Sequence, residues 1–283
     1  MKASTDVRPS PIAGQWYPAD PSSLAEQVDT YIQSALLPSI NGEVVAVMAP
    51  HAGHRYSGPV AGYAFATLQG LEPELVAVIS PMHYPFSEPL LTSAHQAYAT
   101  PLGEIPLDEQ ALDELNILLE QELGFGISRV RKDPEHSLEI ELPFLQRVLQ
   151  KPFQLLPIMV RDQHVRTARI LGSALARTLQ GRQAIMVASS DLSHFYPQST
   201  AEVLDTEFLR QVEAFDPQGV MRVEEEGKGF ACGRAAVAAM LWAARDLGAD
   251  HVQLLHYATS GDITGDYSGV VGYGAAVVTR SAN

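Results

Sequence analysis

The stretch VVAVMAPHAGHRYSGP, residues 44–59, joins a run of apolar residues to an abruptly polar one. Its apolar part is typical of a strand that is buried on both faces of a sheet. The run stops at Pro50, which cannot donate to a sheet hydrogen-bond ladder and therefore ends strand pairing. His51 follows at once. The stretch indicates a core strand whose carboxyl end carries a histidine.

Apolar strands and amphipathic helices alternate along the chain around this stretch. An N-cap at Asp20 with Pro21 behind it predicts a first helix that runs to about Leu37. The alternation favours an α/β fold, a sandwich around a largely parallel sheet. No repeat or linker divides the chain, so residues 1–283 are expected to form a single domain. Strands are predicted at 43–48, 74–80, 153–160, 182–189, 251–258 and 269–279, and further helices at 59–69, 108–123, 137–150, 164–180, 200–214 and 232–247.

Composition and charge narrow the class of protein. The 283 residues carry a formal net charge of −14, and such a surface repels a phosphate backbone, so nucleic acid is not an expected partner. The start has no apolar signal segment, and no apolar run reaches the ~20 residues of a membrane span. The expectation is a soluble, cytoplasmic protein with no membrane partner. Cys232 is the single cysteine, which excludes an intramolecular disulfide and a zinc ribbon.

Two further apolar runs end in polar residues as the first one does. LVAVISPM leads into His83, and AIMVASS leads into Asp191, with His194 three residues later. In open α/β sheets, ligands bind outside the carboxyl ends of the strands. The three strand ends are therefore predicted to meet at one site that contains His51, His83, Asp191 and His194.

Cys232 lies in KGFACGRAAVAAM, at the start of a predicted helix. The positive end of a helix dipole favours a thiolate over a thiol. A lone cysteine is more often a small buried residue, but beside two imidazoles it becomes a candidate metal ligand. In EHSLEIELPFL, His136 and Glu139 can share a helix face, and a structural or supporting role is expected for them.

Together these motifs resemble those of the MEMO family (mediator of ErbB2-driven cell motility), including its bacterial and archaeal members. The resemblance extends from about residue 8 to 278. It implies a three-layer α/β/α sandwich with a central mixed sheet, similar to the LigB-like class III extradiol dioxygenases. The motifs that carry it are AGQWYPAD, PHAGHRYSGP, SPMHYP, TPLGEI, EHSLEIELPFL, SSDLSHF, ACG and YATSGD.

The resemblance also implies a pocket built from His51, His83 and Cys232, with Asp191 and His194 beside them. In the related dioxygenases two histidines and a carboxylate hold non-haem Fe(II), and another histidine, the counterpart of His194, acts as acid and base. Here Cys232 takes the place of the carboxylate. A thiolate shifts preference towards copper or zinc, although iron still fits. Iron or copper is the expected cofactor, and zinc is the alternative.

One residue departs from the family pattern. His54 stands where the family usually has an aromatic residue after PHAG, and it is expected to be exposed.

Four interpretations of the pocket stay open. The first is a non-haem metal-dependent oxidoreductase of extradiol dioxygenase type, acting on an unknown small molecule, with Asp191 as a fourth ligand or an anchor for an imidazole. The second is a zinc-dependent hydrolase with Asp191 or His194 as base. The third is a non-catalytic module that binds a phosphorylated peptide or a metal. The fourth is nucleophilic catalysis by Cys232.

We favour the first interpretation, with an aromatic or catecholic substrate. His194 then moves protons, because an imidazole titrates near neutral pH. The sequence leaves open the metal, the substrate, the oligomeric state and whether the protein is an enzyme at all.

Overall fold

The computed structural model describes residues 6–281 of the chain. The strands are β1 (Val7–Arg8), β2 (Glu43–Ala49), β3 (Leu75–Pro81), β4 (Leu90–Ser93), β5 (Ala97–Thr100), β6 (Gly103–Pro106), β7 (Ser128–Val130), β8 (Gln154–Val160), β9 (Ala184–Ser189), β10 (His194–Tyr196), β11 (His251–Thr259) and β12 (Val270–Arg280). The helices are α1 (Pro21–Ser34), α2 (His54–Ala66), α3 (Glu109–Leu123), α4 (Leu142–Val148), α5 (Val165–Leu179), α6 (Gln198–Glu213), α7 (Pro217–Glu225), α8 (Arg234–Asp246) and α9 (Gly261–Thr264). A 3₁₀ turn, Glu139–Glu141, leads into α4.

Nine strands form one sheet in the order β10-β12-β2-β9-β3-β8-β4-β7, with β11 paired to β12. Its centre is parallel, because β2 and β3 both pair in parallel with β9, and β3 pairs in parallel with β8. Antiparallel pairs adjoin this centre on both sides, β12 with β2 and β4 with β8. The expectation of a largely parallel sheet therefore holds for the four central strands, and the sheet as a whole is mixed.

Helices cover the sheet in two groups. On one face α2 packs on β2, β11 and β12, and α1 and α4 pack on α2. In the other group α8 packs on β2, β3 and β9, α5 packs on α8, α3 on α5, and α6 and α7 continue the layer. The α/β/α sandwich expected from the sequence is confirmed. Within residues 6–281, no helix combines the length and the apolar character needed to cross a membrane.

Most of the predicted elements occur within a few residues of their expected bounds. The cap of α1 is confirmed, since the Ser23 backbone N–H donates to Asp20 Oδ1 over 2.8 Å. The predicted start of α2 at residue 59 was wrong, because the helix begins at His54 and Pro59 lies inside it. The His54 backbone N–H lies in the first turn of the helix, where it has no acceptor within the helix, and it donates instead to the Trp16 carbonyl over 2.8 Å. A contact with the N-terminal arm thus stabilises a turn that sequence periodicity did not indicate.

The sequence did not predict a second sheet, the three strands β1, β5 and β6. In β1 the Arg8 side chain is 1% exposed. Its guanidinium donates to the Asp133 carboxylate, to the Glu139 carboxylate and to the Glu135 carbonyl. A buried cation is tolerated only with such partners. Arg8 therefore fixes the irregular segment 133–139 against the N-terminal arm.

The close packing of α1 on α2, the helix that follows the His51 loop, can be tested by a substitution. A Cβ at Gly62 would lie 2.7 Å from the carbonyl carbon of Tyr31 and nearer still to its oxygen. We expect Gly62→Ala to lower the free energy of unfolding by about 1–3 kcal/mol in urea titrations, because the backbone of α1 cannot yield cheaply. Tyr63→Phe is the control, since it adds no atom. A Gly62→Ala protein as stable as the wild type would show that the two helices have room to separate.

Candidate metal centre

Three of the predicted site residues stand at the carboxyl ends of adjacent parallel strands. His51, His83 and Asp191 each lie two residues beyond the last residue of β2, β3 and β9. Because β9 lies between β2 and β3, the three loops emerge side by side at one edge of the sheet. This is the edge at which ligands bind in open α/β sheets.

A cluster of three imidazoles lies at this edge. One ring nitrogen from each of His51, His83 and His136 lies within 4.8 Å of the others, an arrangement that could hold a metal ion. The His51 ring meets the His83 ring edge-on, with centroids 5.2 Å apart, and His136 stacks on His83 at 4.8 Å. His51 is buried and the His136 side chain is 13% exposed, while a third of the His83 side chain is exposed. Solvent therefore reaches the cluster along His83.

His51 is held on two sides. Its backbone N–H donates to Asp191 Oδ1 over 2.7 Å, and its Nδ1 lies 2.9 Å from Ser189 Oγ. Burial and the neighbouring His136 and His83 lower the pKa of His51 well below its usual value. The ring is thus neutral at neutral pH, with Nε2 directed away from Ser189.

A buried carboxylate, Glu135, holds the other two imidazoles. It accepts from the His83 backbone N–H over 2.6 Å, pairs with His83 Nδ1 over 2.9 Å, and lies 3.3 Å from His136 Nδ1. Burial alone would raise the pKa of Glu135, but the hydrogen bond from His83 and the nearby His136 bring it down to about 2. Burial also lowers the pKa of His136 to about 4. A carboxylate behind a neutral histidine is the usual arrangement around a metal ligand.

Cys232 lies against the cluster from the other side. Its Sγ is 3.1 Å from His51 Nε2 and 3.6 Å from the Asp191 carbonyl. The approach depends on Gly233, where a Cβ would lie 2.8 Å from Ser190 Cβ. Only a glycine lets α8 begin so close to the end of β9. Cys232 is not a member of the three-histidine group, so its role as a ligand stays a prediction.

The expected thiolate is wrong for the metal-free protein. Burial, followed by the Asp191 carboxylate, raises the pKa of the Cys232 thiol well above its usual value. Hydrogen bonds with the Asp191 backbone and the Ser190 side chain act in the opposite direction, but they lower the pKa by less than burial raises it. A protonated thiol with His51 Nε2 as its acceptor fits the 3.1 Å contact.

The two residues predicted to be catalytic take different positions. Asp191 is buried, and its Oδ1 accepts from the backbone N–H groups of His51 and Ala52, while burial raises its pKa to about 7. It therefore anchors the His51 loop through the backbone rather than through the ring. His194 starts β10, with its ring against Phe195 and Phe230, and it does not join the histidine cluster. Their catalytic roles stay predictions.

Sequence reasoning missed three members of this site. His136 was given only a supporting role, yet it belongs to the histidine cluster, and Glu135 and Glu141 were not singled out. The strand before residues 133–138 is β7, which has only three residues and was not predicted, so the strand-end pattern could not find them. Glu139 does have the expected structural role, since it accepts from Arg8 and from the Tyr17 hydroxyl.

The expectation that His54 is exposed was wrong. The side chain is 1% exposed and lies between the rings of Tyr17 and Phe144. Its Nε2 lies 3.0 Å from the Ile140 carbonyl. His54 thus fills an aromatic position of the core, which is where the resemblance places an aromatic residue.

A cavity of about 540 Å³ lies at the opposite, amino end of the strands, lined among others by Val44, Ile185 and Arg182. It contains none of the candidate site residues. The candidate site is therefore identified by its convergent polar groups rather than by this cavity.

The structure is a mixed α/β sandwich with a histidine cluster, which could hold a metal ion, at the carboxyl edge of its parallel strands. Residues 8–277 match the model of the Memo-like protein family. The chain belongs to this family, as its motifs indicated.

Members of this family are similar in sequence to this chain over nearly its whole length. A MEMO1 family protein of Nitrosopumilus maritimus is 34% identical over 273 residues, which cover 95% of this chain and 98% of that protein. A MEMO1 family protein of Methanothermobacter thermautotrophicus is 35% identical over 278 residues, with 94% and 98% covered. One of Pyrobaculum aerophilum is 30% identical over 285 residues, with 97% and 99% covered.

The fold is also similar to a solved structure, that of an uncharacterized protein from Escherichia coli K12. The TM-score is 0.54 at 13% sequence identity, and the alignment covers 83% of this chain and all of the other. At this identity the likeness extends to the fold alone.

The buried His54 leads to a test by pH. Burial lowers the pKa of His54 to about 4 from 6.5, so the unfolded chain binds a proton below pH 6.5 that the folded protein does not accept. The contribution of the neutral His54 to the free energy of unfolding is complete above pH 6.5, and it is lost as the pH falls towards 4. Between pH 7.5 and 5, we expect the wild type to lose about 2 kcal/mol more unfolding free energy than His54→Gln does.

Chemical denaturation at the two pH values measures this difference. His164→Gln is the matched control, because the His164 side chain is 88% exposed, and it should follow the wild type. Equal losses in His54→Gln and the wild type would mean that His54 is solvated in solution.

Proposed function

We propose that this protein binds one metal ion at the carboxyl edge of the sheet and acts as a non-haem metal-dependent oxidoreductase of extradiol dioxygenase type. The single observation that supports this most is the cluster of His51, His83 and His136, with Cys232 Sγ 3.1 Å from His51 Nε2. Family membership adds weight, but the names of the relatives state no reaction.

The donor set fits a metal ion. His51 and His83 each have Nδ1 engaged, by Ser189 and by Glu135, which leaves Nε2 as the ring nitrogen that can bind a metal. Low pKa values keep the imidazoles of His51 and His136 neutral, as metal ligands must be. Adjacent ligands of a tetrahedral ion, one sulfur and one nitrogen, lie about 3.5 Å apart, by bond lengths of ~2.3 and ~2.0 Å. The 3.1 Å between Cys232 Sγ and His51 Nε2 is close to this value.

His51 and His83 are the shared members of two possible ligand sets. The third ligand is Cys232 in the set predicted from the sequence and His136 in the set that the geometry adds. Imidazoles with a thiolate suit copper, zinc or iron, and three imidazoles suit the same metals. Iron or copper, when bound, supplies electron transfer between an aromatic substrate and O₂.

The surrounding residues supply the other functions. Glu135 orients His83 and His136, and Ser189 orients His51. Asp191, with its pKa raised to about 7 by burial, is suited to exchange a proton near neutral pH. His194, whose pKa is lowered by burial, starts neutral and can accept a proton from a substrate hydroxyl.

The first experiment is metal analysis of untagged protein purified without oxygen. We expect about one iron or copper per chain in the wild type, and loss of the metal in His51→Ala and His83→Ala, since both ligand sets contain these residues. Cys232→Ser and His136→Ala identify the third ligand, because only the variant that removes it loses the metal.

His251→Ala is the matched control, since it removes an exposed imidazole from the start of β11. Circular dichroism checks that each variant is folded. A wild type that holds no metal and takes up none of Fe(II), Cu(I) or Zn(II) on reconstitution would refute the metal proposal, and it would favour the binding module or the thiol nucleophile.

The second experiment tests the reaction. With an oxygen electrode and a panel of catechols, we expect the iron-loaded protein to consume O₂, and His194→Gln to be slower by about 10²–10⁴-fold with unchanged metal content. His251→Gln serves as the control for loss of an unrelated imidazole.

Two outcomes would contradict the oxidoreductase. Metal-loaded protein that consumes no O₂ with any catechol argues against it. Stoichiometric zinc in the purified protein would instead favour the hydrolase, in which Asp191 or His194 is the base for a metal-bound water of pKa ~7.

A further inference from the structure

Ser189, the last residue of β9, lies at the centre of a buried hydrogen-bond group behind His51. Its Oγ is 2.9 Å from His51 Nδ1, 2.7 Å from the Ser137 carbonyl oxygen and 2.7 Å from Glu141 Oε1. Ser189, Ser137 and Glu141 are fully buried. These are hydrogen bonds that no bulk water competes for.

The number of protons limits how this group can be arranged. A serine hydroxyl has one proton to donate and two lone pairs to accept with. The Ser137 carbonyl can only accept, so it takes the Ser189 proton. The other two neighbours must then both donate to Ser189: His51 through Nδ1–H, and Glu141 through a carboxylic acid O–H.

The surroundings of Glu141 favour the acid over the carboxylate. Its second oxygen, Oε2, is buried and has no hydrogen-bond partner among the described residues. A buried charge without partners costs far more than a buried neutral group. Burial, together with the nearby Asp191, raises the pKa of Glu141 well above its usual value, in agreement with the proton count.

We propose that Glu141 is a permanently neutral carboxylic acid and a positioning residue, which donates to Ser189 and thereby holds His51 as the Nδ1–H tautomer with its Nε2 lone pair facing the metal position. Without the donor at Glu141, the Ser189 hydroxyl is free to turn and donate to Nδ1, which selects the opposite tautomer. The inference rests on the proposed metal function for its purpose, but its geometry is that of the metal-free protein.

The first test uses infrared and NMR spectra of metal-free protein at neutral pH. We expect a carboxylic acid C=O band that disappears in Glu141→Gln. An Asp191→Asn variant identifies any such band that comes from Asp191 instead. In ¹⁵N-histidine spectra, we expect His51 to be protonated on Nδ1 in the wild type and in Glu141→Gln, whose amide also donates to Ser189. Glu141→Met and Ser189→Ala should instead show a mixture of tautomers.

The second test measures Zn(II) affinity by competition with a chelator. We expect Glu141→Met and Ser189→Ala to bind about tenfold more weakly than the wild type, and Glu141→Gln to stay within about twofold of it. Ser193→Ala is the matched control for Ser189→Ala, since Ser193 is also a buried serine and lies four residues further along the chain, in the loop that follows β9. It should keep the wild-type affinity.

The outcomes separate this inference from the proposed function. If no acid band depends on Glu141, or if Glu141→Met and Ser189→Ala both leave the His51 tautomer unchanged, the inference is wrong. If the wild type binds none of Zn(II), Fe(II) and Cu(I), the metal function fails, while the spectra of the metal-free protein still decide the role of Glu141.

Discussion

The parallel pairing of β2, β9 and β3 is the constraint on which the candidate metal centre depends. Ala46 and Ala77 both align with Met186, so the three strands advance in register and end at one edge. Two strands that flank a third lie roughly 10 Å apart, twice the usual spacing. The rings of His51 and His83 are nevertheless only 5.2 Å apart. The loops must therefore bend towards each other over the end of β9, and the Asp191 carboxylate draws the His51 loop inward.

The other side of the centre is built by the buried charges of the N-terminal arm. Segment 133–141 has little regular structure, yet it supplies His136 and both carboxyl groups behind the imidazoles. Arg8 binds it through the Asp133 carboxylate, the Glu135 carbonyl and the Glu139 carboxylate. Burying these ions costs free energy that apolar packing would not cost. In return, the Arg8 guanidinium fixes the orientation of each group that accepts from it, because it donates in a rigid planar fork.

The sequence predicted those parts of the site that follow from strand pattern. An apolar run that turns polar locates a strand end, so His51, His83 and Asp191 could be assigned to one edge, and the motifs identified the family. Glu135 and the neighbouring His136 could not be found this way, since contacts of Glu135 with residues about 50 and 130 positions away fix this segment. His54 was misplaced for a related reason. The Trp16 carbonyl, not a local cap, starts α2 at His54 and turns its side chain into the core.

The contact between Arg8 and Asp133 spans 125 residues of chain. During synthesis, Arg8 therefore leaves the ribosome long before Asp133 does. Until then its guanidinium has no counter-charge, so its burial would leave the charge unpaired. β1 cannot dock early, because an unpaired buried guanidinium is too costly. Contacts of such sequence separation also form slowly. The segment that carries Glu135 and His136 thus depends on a residue that is made 125 residues before Asp133.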